Sequence, residues 1–116
     1  MSYDMGKGQE RRKELLAELD RIVEILKNEN IERVILFGSL ARGTTRSGSD
    51  IDLIVVRNTD KRFLDRVDDI IRLVEPVMGL DVLVYTPKEF ELMKHSSSFV
   101  RNAIGEGKVL YAKKPT

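Results

Sequence analysis

Apolar residues first recur with helical spacing between about Gln9 and Asn28. Leu15, Leu19, Ile22 and Leu26 follow one another at intervals of four, three and four residues. This spacing places an apolar stripe on one helical face and the charged residues opposite, which is typical of a helix that packs on a core. A helix that binds a partner can show the same pattern.

Three short apolar runs without polar alternation predict strands that are covered on both faces. The runs are Val34–Phe37, Asp50–Arg57 and Leu80–Tyr85. A second helical stripe, from Phe63 to Val74, lies between the second and third runs, and Pro76 follows it as a helix terminator. Val109–Tyr111 has the composition of a short final strand.

Two further helices are predicted after the third strand, over Pro87–Lys94 and Ser97–Ile104. Thr86 precedes Pro87 and stands three residues before Glu89, which is the pattern of a capping box. The short link between the first two strands favours antiparallel pairing, and the helical crossover to the third favours parallel pairing. The predicted fold class is therefore α/β (α+β), a small mixed sheet of three to four strands with helices packed on it.

A chain of 116 residues fits one compact domain, which we place at residues 9–112. Residues 1–8 contain two glycines and no periodicity, so they are predicted to be disordered, and residues 113–116 are predicted to form a loose tail. The sequence has no signal peptide pattern and no apolar run long enough to span a membrane, so a cytoplasmic location is expected.

Charge and cysteine content exclude several kinds of function. The formal net charge is only +1, whereas a dedicated nucleic-acid binder usually has a strong basic excess, so nucleic acid is a possible but not a favoured partner. Cysteine is absent and there is one histidine, which excludes disulfides and the usual zinc sites within this chain.

The informative polar residues are aspartates in the apolar strands. Asp50 and Asp52 stand two positions apart, so alternation predicts that both side chains point to the same side of the sheet. Asp81 opens the next strand and can lie beside them. Three converging carboxylates could hold two Mg²⁺ ions about 3.5–4 Å apart. Aspartate also begins strands simply as a turn residue, which could explain Asp50 or Asp81 singly but is a poorer account of Asp52.

Gly38 and Ser39 lie where the first strand ends and a helical turn over residues 39–42 can begin. The glycine allows a ligand to approach the backbone, and the serine can hydrogen-bond an anion such as a phosphate. A Gly-Ser pair on its own more often marks an ordinary turn.

Taken together, these residues resemble a known signature. The chain reads FGSLARG, then SDIDLIVV, then LDVLVYT, with ten residues between Gly-Ser and Asp-x-Asp. This pattern is similar to that of the DNA polymerase beta-like nucleotidyltransferase superfamily, and the chain resembles its minimal nucleotidyltransferase (MNT) branch, of the MntA-like antitoxin type, over roughly residues 31–111. Gly48 departs from the family, because many relatives carry an acidic residue there.

The resemblance implies a role for each of these positions. Gly38 and Ser39 would bind the triphosphate of an NTP, by default ATP, and Arg42 would contact phosphate or the acceptor, although a surface role is an equal alternative. Asp50 and Asp52 would ligate Mg²⁺. Asp81 would complete the metal site and could accept the proton of the acceptor hydroxyl.

The resemblance also implies a partner. MNT proteins often act as antitoxins for a toxin with a HEPN domain, some of them by adding AMP to the toxin. An alternative is a catalytically weak antitoxin that neutralises a helical partner by complex formation. Two other enzyme classes with Asp-x-Asp strands fit less well: haloacid dehalogenase phosphatases place threonine where this chain has Ile54, and glycosyltransferases need a larger domain.

Overall fold

The computed structural model describes residues 3–27 and 29–114 of the chain. Within these residues, helices and strands follow one another in the order expected from the sequence. They are α1 (Tyr3–Leu26), β1 (Ile31–Phe37), α2 (Gly38–Arg42), β2 (Ile51–Arg57), α3 (Phe63–Val74), β3 (Leu80–Tyr85), α4 (Pro87–Ser96), α5 (Ser98–Glu106) and β4 (Lys108–Ala112).

The described strands form one mixed sheet in the order β3-β2-β1-β4. β1 pairs antiparallel with β2, and β2 pairs parallel with β3, so both predicted pairings are confirmed. β4 adds an antiparallel strand on the other side of β1. The mixed α/β class with four strands is therefore confirmed, and β1 begins three residues earlier than predicted, at Ile31.

Helices cover both faces of the sheet, and β1, β2 and β3 each contribute side chains to two apolar cores. α1 and α3 pack on one face, where the predicted stripe of α1 is buried together with Leu53 and Val55 of β2. α4 and α5 pack on the opposite face against Ile54 and Val56. The absence of polar alternation in the strands is explained by this burial on both sides.

The N-terminal helix starts earlier than the sequence pattern indicates. Disorder was predicted for residues 1–8, but α1 already begins at Tyr3, and Met1 and Ser2 lie outside the described residues. The reason is a tertiary contact, because Gly8 is buried against the backbone of Thr45. A tertiary contact of this kind cannot be recognised from the spacing of apolar residues along the helix.

Backbone geometry explains where the other helices stop and start. Glu75 ends α3 in the left-handed region, with φ of 44°, one residue before Pro76. Thr86 and Glu89 form the predicted capping box at the start of α4. Among the described residues, no helix is both long enough and apolar enough to cross a membrane.

Candidate active site

The candidate residues meet at one end of the sheet. Because β2 and β3 run parallel and start at the same edge, Asp52 stands in register with Asp81. β1 runs in the opposite direction and ends there, with Phe37 in register with Asp52. Gly38, the next residue, therefore lies directly beside the Asp52 carboxylate.

Strand alternation turns Asp52 and Asp81 to the same face. Asp52 alternates with Leu53, which belongs to the core under α1 and α3, so it shares the α4–α5 face with Ile54. Asp81 likewise alternates with Val82 of the α1–α3 core. The predicted convergence of carboxylates from adjacent strands is thus present for this pair.

The electrostatic environment of Asp52 is unfavourable to its charge. Burial, then the charge of Asp81, then that of Asp50, together with a hydrogen bond to the Asp81 side chain, raise the pKa of Asp52 from 3.8 to about 6. The Arg42 guanidinium acts in the opposite direction and lowers the pKa of Asp52. Without a further cation, the site therefore holds more negative charge than its surroundings compensate.

Gly38 is required at its position for two separate reasons. Its φ is +75°, a region that residues with a Cβ rarely adopt. A Cβ added there would also lie 2.2 Å from Oδ2 of Asp52, well inside van der Waals contact. The glycine that ends β1 thus provides the space in which the aspartate carboxylate lies.

Ser39 is connected to a residue that sequence reasoning did not single out. Its hydroxyl donates to Oγ of Ser49 over 3.1 Å, and the same Ser49 oxygen accepts from the Arg46 backbone N–H over 2.8 Å. The two ends of the loop between α2 and β2 are joined in this way. The sequence feature that could have pointed to Ser49 is its position immediately before Asp50.

Asp50 lies just ahead of the first β2 residue, so strand alternation does not fix its direction. Its carboxylate packs against Gly79, where an added Cβ would lie 2.1 Å from Oδ1. On another side, Nη2 of Arg11 lies 3.5 Å from the same Oδ1. The sequence analysis assigned neither Gly79 nor Arg11 to the site, because Gly79 carries no side chain and Arg11 lies in a helix outside the strands.

Arg42 is close enough to influence the site but is paired with another residue. It lies at the end of α2, and its Nη1 donates to Oε1 of Glu106 at the end of α5 over 3.0 Å. Both side chains are substantially exposed. The ion pair therefore links two elements beside the carboxylates and leaves the guanidinium accessible from solvent.

The carboxylates do not form a complete metal-binding cluster in this arrangement. Among residues 3–27 and 29–114, no group of three or more acidic or histidine side chains is close enough to hold a metal ion. Asp52 stands in register with Asp81, whereas the Asp50 carboxylate lies beside Arg11. Like charges repel, so full convergence requires a cation between them. The oxygen donors and the uncompensated charge at Asp52 both fit a hard divalent cation such as Mg²⁺.

Comparison with known sequences identifies the family. A model of the nucleotidyltransferase domain matches residues 19–110. A Methanocaldococcus jannaschii protein that bears the name protein adenylyltransferase MJ0604 is 35% identical over 98 residues, which cover 80% of this chain and 94% of that protein. A second protein of the same organism and name, MJ0435, is 37% identical over 70 residues, which cover 56% of this chain and 71% of that protein.

Solved structures share the fold. The crystal structure of a nucleotidyltransferase from Sulfolobus solfataricus superposes with a TM-score of 0.65 at 24% identity and covers 92% of this chain and 88% of its own. A toxin-antitoxin structure with AMP-PNP superposes with a TM-score of 0.51 at 19% identity, over 82% and 73% of the two chains. The family match spans most of the described fold, including each candidate carboxylate. The chain therefore belongs to the nucleotidyltransferase domain family and is an enzyme of this kind.

Proposed function

We propose that this chain transfers AMP from ATP to an acceptor hydroxyl in a Mg²⁺-dependent reaction, and that the acceptor is a partner protein. The observation that carries the proposal is the pair Asp52 and Asp81 in register on parallel strands, with Asp50 near enough to act on the charge of Asp52 and Gly38 against the Asp52 carboxylate. The names of the Methanocaldococcus jannaschii relatives support adenylyl transfer to protein.

Each carboxylate has a separate role in this proposal. Asp50 and Asp52 would hold Mg²⁺, and Asp81 would complete the ligand set. Bound metal would supply charge neutralisation on the phosphates and on the attacking and departing oxygens. Asp81 would accept the proton of the acceptor hydroxyl, and its exposed position near the start of the edge strand β3 supports this role.

The loop after β1 would hold the donor nucleotide. Gly38 keeps the backbone clear of a Cβ, and the Ser39 hydroxyl, now bonded to Ser49, can reorient to donate to a phosphate oxygen. Arg42 would contact phosphate or acceptor once it leaves Glu106. The acceptor oxygen then attacks the α-phosphorus, the bond to the β-phosphate oxygen breaks, and pyrophosphate leaves.

The partner is proposed to be a HEPN-type toxin, which makes the chain an antitoxin. Support comes from the solved toxin-antitoxin structures with the same fold, one of which contains AMP-PNP and another of which is described as MntA-HpeT. The exposed site offers little to grip an acceptor by itself, since the Asp50 side chain is 46% exposed. A partner that covers it would exclude water from the reacting groups.

The experiment uses α-labelled ATP, Mg²⁺ and a HEPN-domain protein from the same source. Label should appear on the partner, require Mg²⁺ and disappear with Asp52→Asn. Asp60→Asn, a change of the same chemistry at an exposed turn residue, should leave labelling intact. Full labelling by the Asp52→Asn protein would refute the assigned chemistry.

A second candidate is an antitoxin that neutralises its partner by binding alone. The specific observation in its favour is that the described acidic residues do not form a complete metal cluster. Under this alternative, the Asp50→Asn/Asp52→Asn protein would still neutralise the toxin in cells. Loss of neutralisation together with retained partner binding would favour catalysis.

A further inference from the structure

The first turns of α1 contact the loop that carries the candidate site. Gly8 packs so closely that an added Cβ would lie 2.8 Å from the Thr45 carbonyl oxygen. Nη1 of Arg12 donates to the Leu40 carbonyl over 3.3 Å. Arg11 reaches further along the same loop, to the residues directly before β2.

Arg11 makes two contacts with neighbouring residues. Its Nε donates to the Ser49 carbonyl oxygen over 2.8 Å, which is a good hydrogen bond, and its Nη2 lies 3.5 Å from Oδ1 of Asp50. The Arg11 side chain is only 24% exposed, so packing limits its other conformations. Asp50 is confined on its other side by Gly79.

We propose that Arg11 is a positioning residue for the metal-binding carboxylate Asp50. It fixes the Ser49 carbonyl through Nε and orients the Asp50 side chain through Nη2. The inference rests on the proposed function, because it assumes that Asp50 takes part in cation binding. With Arg11, the site depends on helix α1 as well as on the strands and the Gly-Ser loop.

The two distances indicate how Arg11 acts. An ion pair of 3.5 Å between partly exposed groups contributes little to stability, so loss of Arg11 should leave the fold intact. A planar guanidinium can hold two acceptors in fixed relative directions, which a lysine ammonium does less well. The effect of Arg11 should therefore appear in local order and cation affinity rather than in the melting temperature.

The test compares Arg11→Met with Lys13→Met, which removes the same charge from an exposed position of the same helix. Amide exchange is followed by NMR at Ser49 and Ile51, whose N–H groups donate to the Arg46 and Gly79 carbonyls on either side of Asp50. Exchange at both amides should be faster in Arg11→Met and unchanged in Lys13→Met. Equal exchange in all three proteins would overturn the proposal.

Affinity for Mn²⁺ alone, measured by calorimetry, gives a second readout. Arg11→Met should weaken Mn²⁺ binding about tenfold, the usual size for a group that orients a metal ligand. Arg11→Lys should remain weakened, since one ammonium cannot reproduce both contacts. Full affinity in either variant would overturn the positioning role. If the unaltered protein bound no Mn²⁺, the proposed function would fail, and the exchange result would still decide whether Arg11 orders the loop.

Discussion

At the scale of single residues, the site is shaped by glycines as much as by carboxylates. Gly38 makes room for Asp52, and Gly79 makes room for Asp50. Each glycine is on a different segment from the aspartate that it accommodates. The Asp50 and Asp52 carboxylates, which are proposed to bind the cation, thus occupy space that is free only because the residue opposite each of them is a glycine.

Replacing Gly38 by Ala should reduce transfer about a hundredfold, because the new methyl group displaces the Asp52 carboxylate from its place. Gly43→Ala is the matched control, since Gly43 has a φ of 77°, near the 75° of Gly38, but nothing within 4 Å of its added Cβ. Both variants should lose about 1 kcal/mol of stability from the backbone strain. Equal activity in the two proteins, measured as kcat/KM for ATP, would contradict this account.

Replacing Asp52 by Asn should stabilise the metal-free protein while abolishing transfer. Three negative groups influence one another here, and the amide removes one charge from an in-register pair in which Asp52 is half-buried and Asp81 is exposed. The free energy of unfolding at pH 7 should rise by about 0.5–1 kcal/mol, the size of the repulsion in a like-charge cross-strand pair. Thermal unfolding followed by circular dichroism would measure it, with Asp60→Asn expected to stay near the original value. A lower melting temperature for Asp52→Asn would count against the repulsion.

At the scale of elements, α1 supports the segment that leads into β3. Glu18 is a buried charged residue, and its carboxylate accepts hydrogen bonds from Arg21 and from the Val77 backbone N–H over 2.7 Å. Arg21 in turn donates to the Val74 carbonyl at the end of α3 over 2.8 Å. The helix, the end of α3 and the approach to Asp81 are held together by this one pair.

Glu18→Gln should lower the free energy of unfolding by about 1–3 kcal/mol at pH 7, since it weakens hydrogen bonds to a charged buried group. Hydrogen bonding from Arg21, with smaller contributions from the backbone of residues 77 and 78, lowers the pKa of Glu18 in the folded chain. The ionised form is therefore favoured by folding. Its contribution is present above the unfolded pKa of about 4.3 and is lost as the pH falls through the lower folded value.

Urea unfolding at pH 7 and pH 3 measures this dependence. The difference between the original protein and Glu18→Gln should be large at pH 7 and should shrink on acidification. Glu14→Gln, at an exposed position of the same helix, serves as the control. A difference that grew at low pH would show that the carboxylate is not the stabilising form.

The sequence predicted the elements better than the contacts between them. Strand β3 and helix α3 have the predicted bounds, because dense apolar runs and the proline after α3 mark them clearly. The proximity of Asp52 and Asp81 could be predicted from strand order alone. Arg11 could not be placed at the site, because it meets Asp50 only through packing between residues 39 positions apart in sequence.

At the scale of the whole molecule, one sheet carries two apolar cores and keeps the candidate site at one end. A cavity of about 480 Å³, lined in part by Arg33, Val56 and Phe90, lies toward the opposite end, where β1 begins and β2 ends. The carboxylates are thus far from this concavity along the strands. Both cores include side chains of the inner strands β1 and β2. A substitution that destabilises either core should therefore destabilise the whole fold.

Leu53→Ala should therefore lower the stability of the entire domain, by about 2–5 kcal/mol. Leu53 lies in the inner strand β2 and is fully buried, whereas Leu64 is 79% exposed and provides the same substitution as a control, with an expected change within about 0.5 kcal/mol. Unfolding should be a single transition by circular dichroism and by tyrosine fluorescence, since the chain has no tryptophan. Two separated transitions would show that the cores unfold independently.

The close approach of Gly38 to Asp52 also constrains how this protein can change by mutation. A side chain at residue 38 is harmful mainly while an aspartate occupies position 52, so the effect of the first substitution depends on the second. In a background that already carries Asp52→Ala, Gly38→Ala should lose most of its steric penalty and keep only that of its backbone conformation. In a lineage that lost Asp52 and catalysis, selection would therefore no longer retain glycine at position 38. Recovery of activity would then require both residues to be restored, the glycine first.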